Sequence, residues 1–155
     1  MTPLTKETYK DIMEPGAEYT TLVVLGAIHS GDEGKAEIAK METIARSFRR
    51  GGRKQYRPVK FVTADETWQV ALERMFGIRT ADLPRLVVVD PAKDVYYEGT
   101  IEGNLVNFDG ESAFSVLEGI WKEWAKPKKI QSASWAHTTK MGTTVSIYSH
   151  KRDSR

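Results

Sequence analysis

The stretch that decides the fold class is TTLVVLGAI, at residues 20–28. It is apolar without a break from Leu22 to Ile28, which is typical of a strand covered on both faces. The segment Gly31 to Gly34 interrupts the stretch, and residues 35–50 then carry apolar side chains at the spacing of an amphipathic helix. A doubly buried strand followed by such a helix predicts an α/β protein, with helices on both sides of its sheet.

The segments on either side of this stretch alternate between helical and strand patterns. We predict helices at residues 5–13 and 35–50, from Asp65 to Gly77, and before Pro127, the last with Phe114, Leu117, Ile120, Trp121 and Trp124 on its buried side. We predict strands at residues 20–28, 57–63, 85–90 and 95–98. A right-handed crossover makes the first two strands parallel, and the last two form an antiparallel hairpin.

Length and charge divide the chain into two regions. Its 155 residues suit one domain, which we place at residues 1–126. Residues 127–155 form a basic, Ser/Thr-rich C-terminal tail, in which six basic residues stand against Asp153 alone. We expect the tail to be mobile or docked on the surface, with a short strand at residues 143–148 and Trp135 as an anchor.

Composition excludes several classes of protein. The chain contains no cysteine, so disulfides, thiol catalysis and cysteine-bound metals are excluded. Its longest apolar stretches are far shorter than the roughly 18 residues of a membrane-spanning helix, so we expect no membrane span. Residues 1–14 lack the apolar run of a secretory signal. We therefore expect a cytoplasmic protein or a chain trimmed from a longer one.

The order of the segments resembles the thioredoxin fold, most closely its protein-disulfide-isomerase-like branch. The resemblance covers roughly residues 5–125 and is carried by the stretch at 22–28, by FVTAD at 61–65, FGI at 76–78, LPRLVVVD at 83–90 and VYY at 95–97. It implies a mixed four- or five-stranded sheet flanked by helices. It also implies that Pro84 is cis and faces the loop at residues 29–34.

The redox motif of that family is missing from this chain. The motif C-x-x-C-K aligns with GDEGK at residues 31–35, so both sulfurs are absent. The resemblance then implies a redox-inactive protein- or peptide-binding module without a cofactor, either chaperone-like or an accessory subunit of a larger assembly. For a chain trimmed from a longer one, it implies the endoplasmic reticulum lumen.

The loops beyond the carboxyl ends of the parallel strands are where ligands of such sheets bind. The residues expected to contact a protein or unfolded peptide are His29, Ser30, Asp32, Glu33, Leu83, Pro84 and Arg85. The backbone of Leu83 would pair with an extended peptide, and the side chains of His29 and Leu83 would contact it. The carboxylates of Asp32 and Glu33 would favour a basic sequence.

A second class of function stays open at the same loop. His29 with Asp32 or Glu33 could form a base with an orienting carboxylate, and Ser30 could act as nucleophile, in a hydrolase-type enzyme. The same oxygen and nitrogen atoms could hold a hard metal ion. Acidic residues at a helix start are also explained as capping and dipole partners.

Neither a nucleotide nor a nucleic acid is expected as a ligand. A phosphate loop would need Gly and Ser or Thr where His29 and Ala36 stand, so no nucleotide is predicted. The basic run RRGGRKQYR at residues 49–57 is of the kind that binds phosphates. As the end of a helix, however, its arginines complement the dipole and its glycines supply a cap, which disfavours nucleic acid as the partner.

Overall fold

The computed structural model describes residues 2–5, 7–13, 21–50, 58–99, 107–130, 134–138 and 144–149. Its helices are α1 (Tyr9–Met13), α2 (Asp32–Arg50), α3 (Gln69–Phe76) and α4 (Gly110–Trp121), with 3-10 turns at Glu66–Trp68 and Thr80–Asp82. Its strands are β1 (Thr2–Pro3), β2 (Leu22–Ala27), β3 (Val59–Ala64), β4 (Arg85–Asp90), β5 (Val95–Tyr97), β6 (Lys128–Lys129), β7 (Ser134–Thr138) and β8 (Thr144–Ser149). The predicted α/β class is confirmed.

The main sheet is mixed and has six strands, in the order β1-β3-β2-β4-β5-β6. Strands β1, β3 and β2 run parallel, whereas β4, β5 and β6 each pair antiparallel with the strand before them in the sheet. The predicted parallel pair and the predicted hairpin are confirmed, but the predicted count of four or five strands is wrong. The additional strands β1 and β6 have two residues each, too few to show an alternating pattern in the sequence.

Strand β2 lies inside the sheet and is buried along its whole length, as its unbroken apolar sequence predicts. Val23, Leu25 and Ala27 belong to a core that contains residues of α1 and α3. Leu22 and Val24 belong to a second core that contains residues of α2 and α4. The sheet therefore has a hydrophobic core on each face. The loops at the ends of its strands are the places where a functional site can form.

Two predicted helix boundaries are explained by local chemistry. The Asp65 carboxylate accepts a hydrogen bond from the Thr67 backbone N–H at 3.0 Å and so caps the turn that leads into α3. Gly77 ends α3 with φ of 69°, in the left-handed region that glycine occupies without steric cost. Both boundaries are confirmed.

The prediction for the end of the last helix is wrong. Helix α4 ends at Trp121, and Glu123 then takes φ of 60°, so the helical spacing no longer applies to the residues that follow. As a result, Trp124 is 56% exposed and does not belong to the buried side of the helix. A lysine side chain, that of Lys122, lies over its ring at 4.8 Å from the ring centre.

The sheet continues past the boundary drawn at residue 126. Strand β6 pairs with β5, and Ile130 beyond it is 4% exposed within the core on the α1 and α3 side. Strands β7 and β8 form a separate antiparallel pair, and β7 runs alongside α3. The short strand expected at residues 143–148 corresponds to β8, whereas the basic residues Lys140, Lys151, Arg152 and Arg155 lie outside the described residues. In the described part of the chain, no helix is both long and apolar enough to cross a membrane.

Candidate functional site

Loops from three strands meet at one end of the main sheet. The register places Ala27 of β2 beside Ala64 of β3 and, on its other side, beside Arg85 of β4. Because β2 and β3 end here and β4 begins here, the residues that follow Ala27 and Ala64 lie at the same end as Leu83 and Pro84. The peptide bond between Leu83 and Pro84 is cis. The expected cis bond is confirmed, and the loop at residues 29–34 lies at the same end of the sheet as Pro84.

His29 is fixed by Glu37, a residue in the second turn of α2. The His29 backbone N–H donates to Glu37 Oε1 at 2.7 Å, and His29 Nδ1 lies 2.8 Å from Glu37 Oε2. The two side chains are 22% and 14% exposed. The orienting carboxylate of this histidine is therefore Glu37, whereas the sequence pointed to Asp32 or Glu33. Glu33 Oε2 is farther from Nδ1, at 3.9 Å.

Gly34, in the first turn of α2, allows the helix to approach this loop. A Cβ atom at residue 34 would lie 2.0 Å from the backbone oxygen of His29, far inside any non-bonded contact. Only glycine therefore fits at this position with the backbone as it stands. The close approach lets α2 begin at Asp32, three residues before the predicted start at Lys35.

Ser30 links this loop to the one that follows β3. The Ser30 backbone N–H donates to Glu66 Oε2 at 3.4 Å, and the Glu66 backbone N–H donates to Ser30 Oγ at 3.1 Å. The two loops are thus joined by a reciprocal pair of hydrogen bonds. Ser30 Oγ acts here as an acceptor that orders a loop.

The two acidic residues of the predicted site stand in the first turn of α2. Asp32 is 97% exposed and Glu33 is 78% exposed. Lys35 Nζ lies 3.3 Å from Asp32 Oδ1, a contact between exposed groups that contributes little to stability. Negative charges at this position interact favourably with the helix dipole, which supports the capping and dipole interpretation. They also present carboxylates to solvent at the end of the sheet.

The predicted residues before and in β4 have different environments. The Leu83 side chain is 8% exposed and belongs to a hydrophobic core, and its backbone N–H donates to the Thr80 carbonyl at 3.2 Å. That N–H is therefore already used within the chain. Arg85 Nη1 lies 3.5 Å from Glu98 Oε2, and Lys128 also binds Glu98. Pro84 is exposed, so it is the member of this group whose side chain faces solvent.

A cavity of about 410 Å³, which the sequence analysis missed, adjoins these loops. Its lining residues come from the end of β1, the end of β3 and the start of α2: Pro3, Leu4, Thr5, Glu7, Ile28, Ile38, Thr63, Asp65 and Thr67. Ile38 is among the apolar side chains that occur at helical spacing in residues 35–50, yet it is 36% exposed and lines this cavity.

The pKa of His29 is raised above its ordinary value of 6.5. The hydrogen bond to Glu37 is the largest cause, and the negative charges of Glu37, Glu33 and Glu66 act in the same direction, against a smaller opposing effect of burial. Since the folded-state pKa is raised, the stabilisation from this pair is fully present below pH 6.5. It is lost as the pH rises through the folded-state pKa.

We expect an NMR titration of the His29 ring protons to give a pKa above 6.5 in the folded protein. Glu37→Gln removes the carboxylate and should return the value toward 6.5, while Glu42→Gln, an exposed change on the same helix, should leave it where it is. The advantage of the wild type over Glu37→Gln in unfolding free energy should shrink as the pH rises. A value at or below 6.5 in the wild type would contradict the assigned ion pair.

Comparison with protein families and with curated proteins identifies no relative of this chain. No protein-family model matches the chain, and a search of curated proteins found no significant match. Within the described ranges, no group of three His, Cys, Asp or Glu residues is arranged to hold a metal ion. The function of the site therefore has to follow from the residues that form it.

Proposed function

We propose that this protein is a redox-inactive, thioredoxin-like module that binds an extended protein or peptide segment at the end of the sheet where β2 and β3 finish and β4 begins. The observation that carries the proposal is the convergence there of two hydrogen-bonded loops, the exposed Pro84 and a cavity. In α/β sheets, ligands bind beyond the carboxyl ends of the parallel strands. The absence of cysteine leaves binding, not thiol exchange, as the activity of such a site.

The charge of this end of the sheet favours a basic partner. Asp32 and Glu33 are largely exposed, and Glu66 adds a third carboxylate next to Ser30. Exposed carboxylates accelerate the encounter with a positively charged segment and discriminate against an acidic one. Binding should therefore weaken as ionic strength increases, because the Debye length shortens to about 8 Å at physiological salt.

A hydrolase-type enzyme is the second candidate, and the contact between His29 and Glu37 is the observation that favours it. An imidazole oriented by a carboxylate is the base-and-orienter pair of many hydrolases. Two features favour peptide binding instead. The raised pKa keeps more of His29 protonated near neutral pH, which makes it a poorer base, and Ser30 Oγ already accepts the Glu66 N–H. Hydrolysis of an activated ester that His29→Gln abolishes would favour the enzyme.

The proposal is tested by fluorescence anisotropy with two pools of labelled unfolded peptides, one basic and one acidic. We expect the basic pool to bind and the acidic pool to bind at least about threefold more weakly. The double variant Asp32→Asn, Glu33→Gln should weaken the basic pool, whereas the matched double variant Glu73→Gln, Glu111→Gln, on exposed faces of α3 and α4, should not. The proposal is overturned if neither the basic nor the acidic pool binds.

A further inference from the structure

The cavity beside the two linked loops has an apolar wall. Leu4 and Ile28 line it and are 4% and 2% exposed, so they form a fixed hydrophobic base. Ile38 lines it from α2 and is 36% exposed, whereas Met41, Ile44 and Phe48 of the same helix pack into a core. A partner that covers Ile38 would remove this apolar surface from water.

The cavity also has a negative side. Glu7 and Asp65 line it, and none of its described lining residues is Lys or Arg. Asp65 is held in position because Oδ1 accepts hydrogen bonds from both the backbone N–H and the hydroxyl of Thr67. The cavity thus combines an apolar wall with carboxylates that no lining cation neutralises.

Two lining residues of the cavity adjoin the loops of the proposed peptide site. Ile28 directly precedes His29 in the chain, and Asp65 directly precedes Glu66, whose backbone and side chain bind Ser30. At about 410 Å³ it falls within the roughly 300–1,000 Å³ of ordinary ligand pockets. An extended segment that crosses the loops therefore has room to place a side chain in it.

We infer that this cavity is the specificity pocket of the site, and that it takes an aliphatic side chain of an extended segment with lysine or arginine two residues away on either side, on the same face of the segment. The inference rests on the proposed function and adds the sequence that the partner must have. The apolar wall selects the aliphatic group, and Glu7 and Asp65 select the flanking cations. An aliphatic segment with acidic flanks would leave these carboxylates facing like charge.

Three labelled probe peptides separate the contributions of shape and charge: Gly-Lys-Ser-Leu-Ser-Lys-Gly, which places both lysines on the same face as the leucine when extended, the same peptide with Ala in place of Leu, and the same peptide with Glu in place of both Lys. We expect the Leu probe to bind about tenfold more tightly than the Ala probe, because the Ala probe lacks most of the aliphatic side chain that would fill the pocket. The Glu-flanked probe should bind more weakly than either. Equal binding of the Leu and Ala probes would overturn the inference.

Variants of the protein locate the effect. Ile38→Ser and Glu7→Gln should each weaken the Leu probe, and Ile38→Ser should also erase its advantage over the Ala probe. The matched controls are Trp124→Ser, which removes an exposed apolar side chain outside the cavity, and Glu111→Gln, which removes an exposed carboxylate on α4. Both controls should bind as the wild type does.

The outcomes distinguish a failure of the inferred pocket from a failure of the proposed peptide-binding function. Binding of the Leu probe that Ile38→Ser leaves unchanged would overturn the pocket while the peptide-binding function stands. Failure of all three probes, together with failure of both unfolded-peptide pools, would overturn the function as well. Circular dichroism of Ile38→Ser confirms that the variant is folded, which the partial exposure of Ile38 leads us to expect.

Discussion

Trp68→Ala should lower the free energy of unfolding by about 3–5 kcal/mol, the usual cost of deleting a large buried aromatic side chain. Trp68 is fully buried, its indole N–H donates to the Leu4 carbonyl at 2.7 Å, and its ring packs against Tyr9 with 6.0 Å between ring centres. The side chain therefore ties the segment after β1 to the turn after β3. At about 2–4 °C per kcal/mol for a chain of this size, the melting temperature should fall by roughly 10 °C.

Two variants separate packing from hydrogen bonding at this position. Trp68→Phe keeps an aromatic ring and deletes the indole N–H, so its cost should be about 1–3 kcal/mol, the penalty for an unsatisfied buried carbonyl. Trp124→Ala is the matched control, because Trp124 is 56% exposed, and we expect a change within about 0.5 kcal/mol. Thermal and urea unfolding measure all three. Equal effects of Trp68→Ala and Trp124→Ala would contradict the core described here.

Gly34→Ala is the second change with a large expected effect. The new Cβ would lie 2.0 Å from the His29 backbone oxygen, and a backbone atom cannot move aside as a flexible side chain can. We expect a loss of about 3 kcal/mol, at the upper end of the usual cost of overpacking. The displaced loop should also lose the contacts between His29 and Glu37, so the His29 pKa should fall toward 6.5.

Gly110→Ala provides a matched control for Gly34→Ala. Gly110 is the first residue of α4, and a Cβ there would meet its nearest neighbour, Ser47 Cβ, at 4.0 Å, an ordinary contact. Alanine is the better helix former, so this variant should be neutral or more stable by up to about 1 kcal/mol. A neutral Gly34→Ala measured beside a neutral Gly110→Ala would show that the loop does not approach α2 as closely as described.

The sequence predicted those elements whose residues carry a strong local pattern. The unbroken apolar run of β2 indicated a strand buried on both faces, and the cap at Asp65 and the stop at Gly77 follow from the chemistry of single residues. Strand β1, at the start of the chain, is the fifth strand that the resemblance left open, and β6 was missed. Two residues carry no periodicity, and the pairing of such short strands depends on the strands already in place. Trp124 was misplaced because the left-handed turn at Glu123 has no clear sequence signal.

The sequence predicted only part of the candidate site, because the rest depends on contacts between residues that are apart in the chain. The loop after β2 and the segment at Leu83 and Pro84 do lie at the same end of the sheet, as the resemblance implied. Glu37 was not identified as the partner of His29, because a contact between residues eight apart depends on how α2 folds back beside the loop. The cavity was missed because it forms from three segments that are distant in sequence, around Leu4, Ile38 and Asp65.

The most direct test of peptide binding at this end of the sheet is backbone amide NMR during titration with the peptide Gly-Lys-Ser-Leu-Ser-Lys-Gly. We predict that the largest shift changes occur at Ser30–Glu33, at Asp65–Thr67 and at Ile38, and that they saturate together. The amides of residues 92–94, in the turn at the opposite end of β4 from Arg85, serve as the internal reference and should not change. Shift changes confined to that turn, or none at the loops after β2 and β3, would contradict the proposed site.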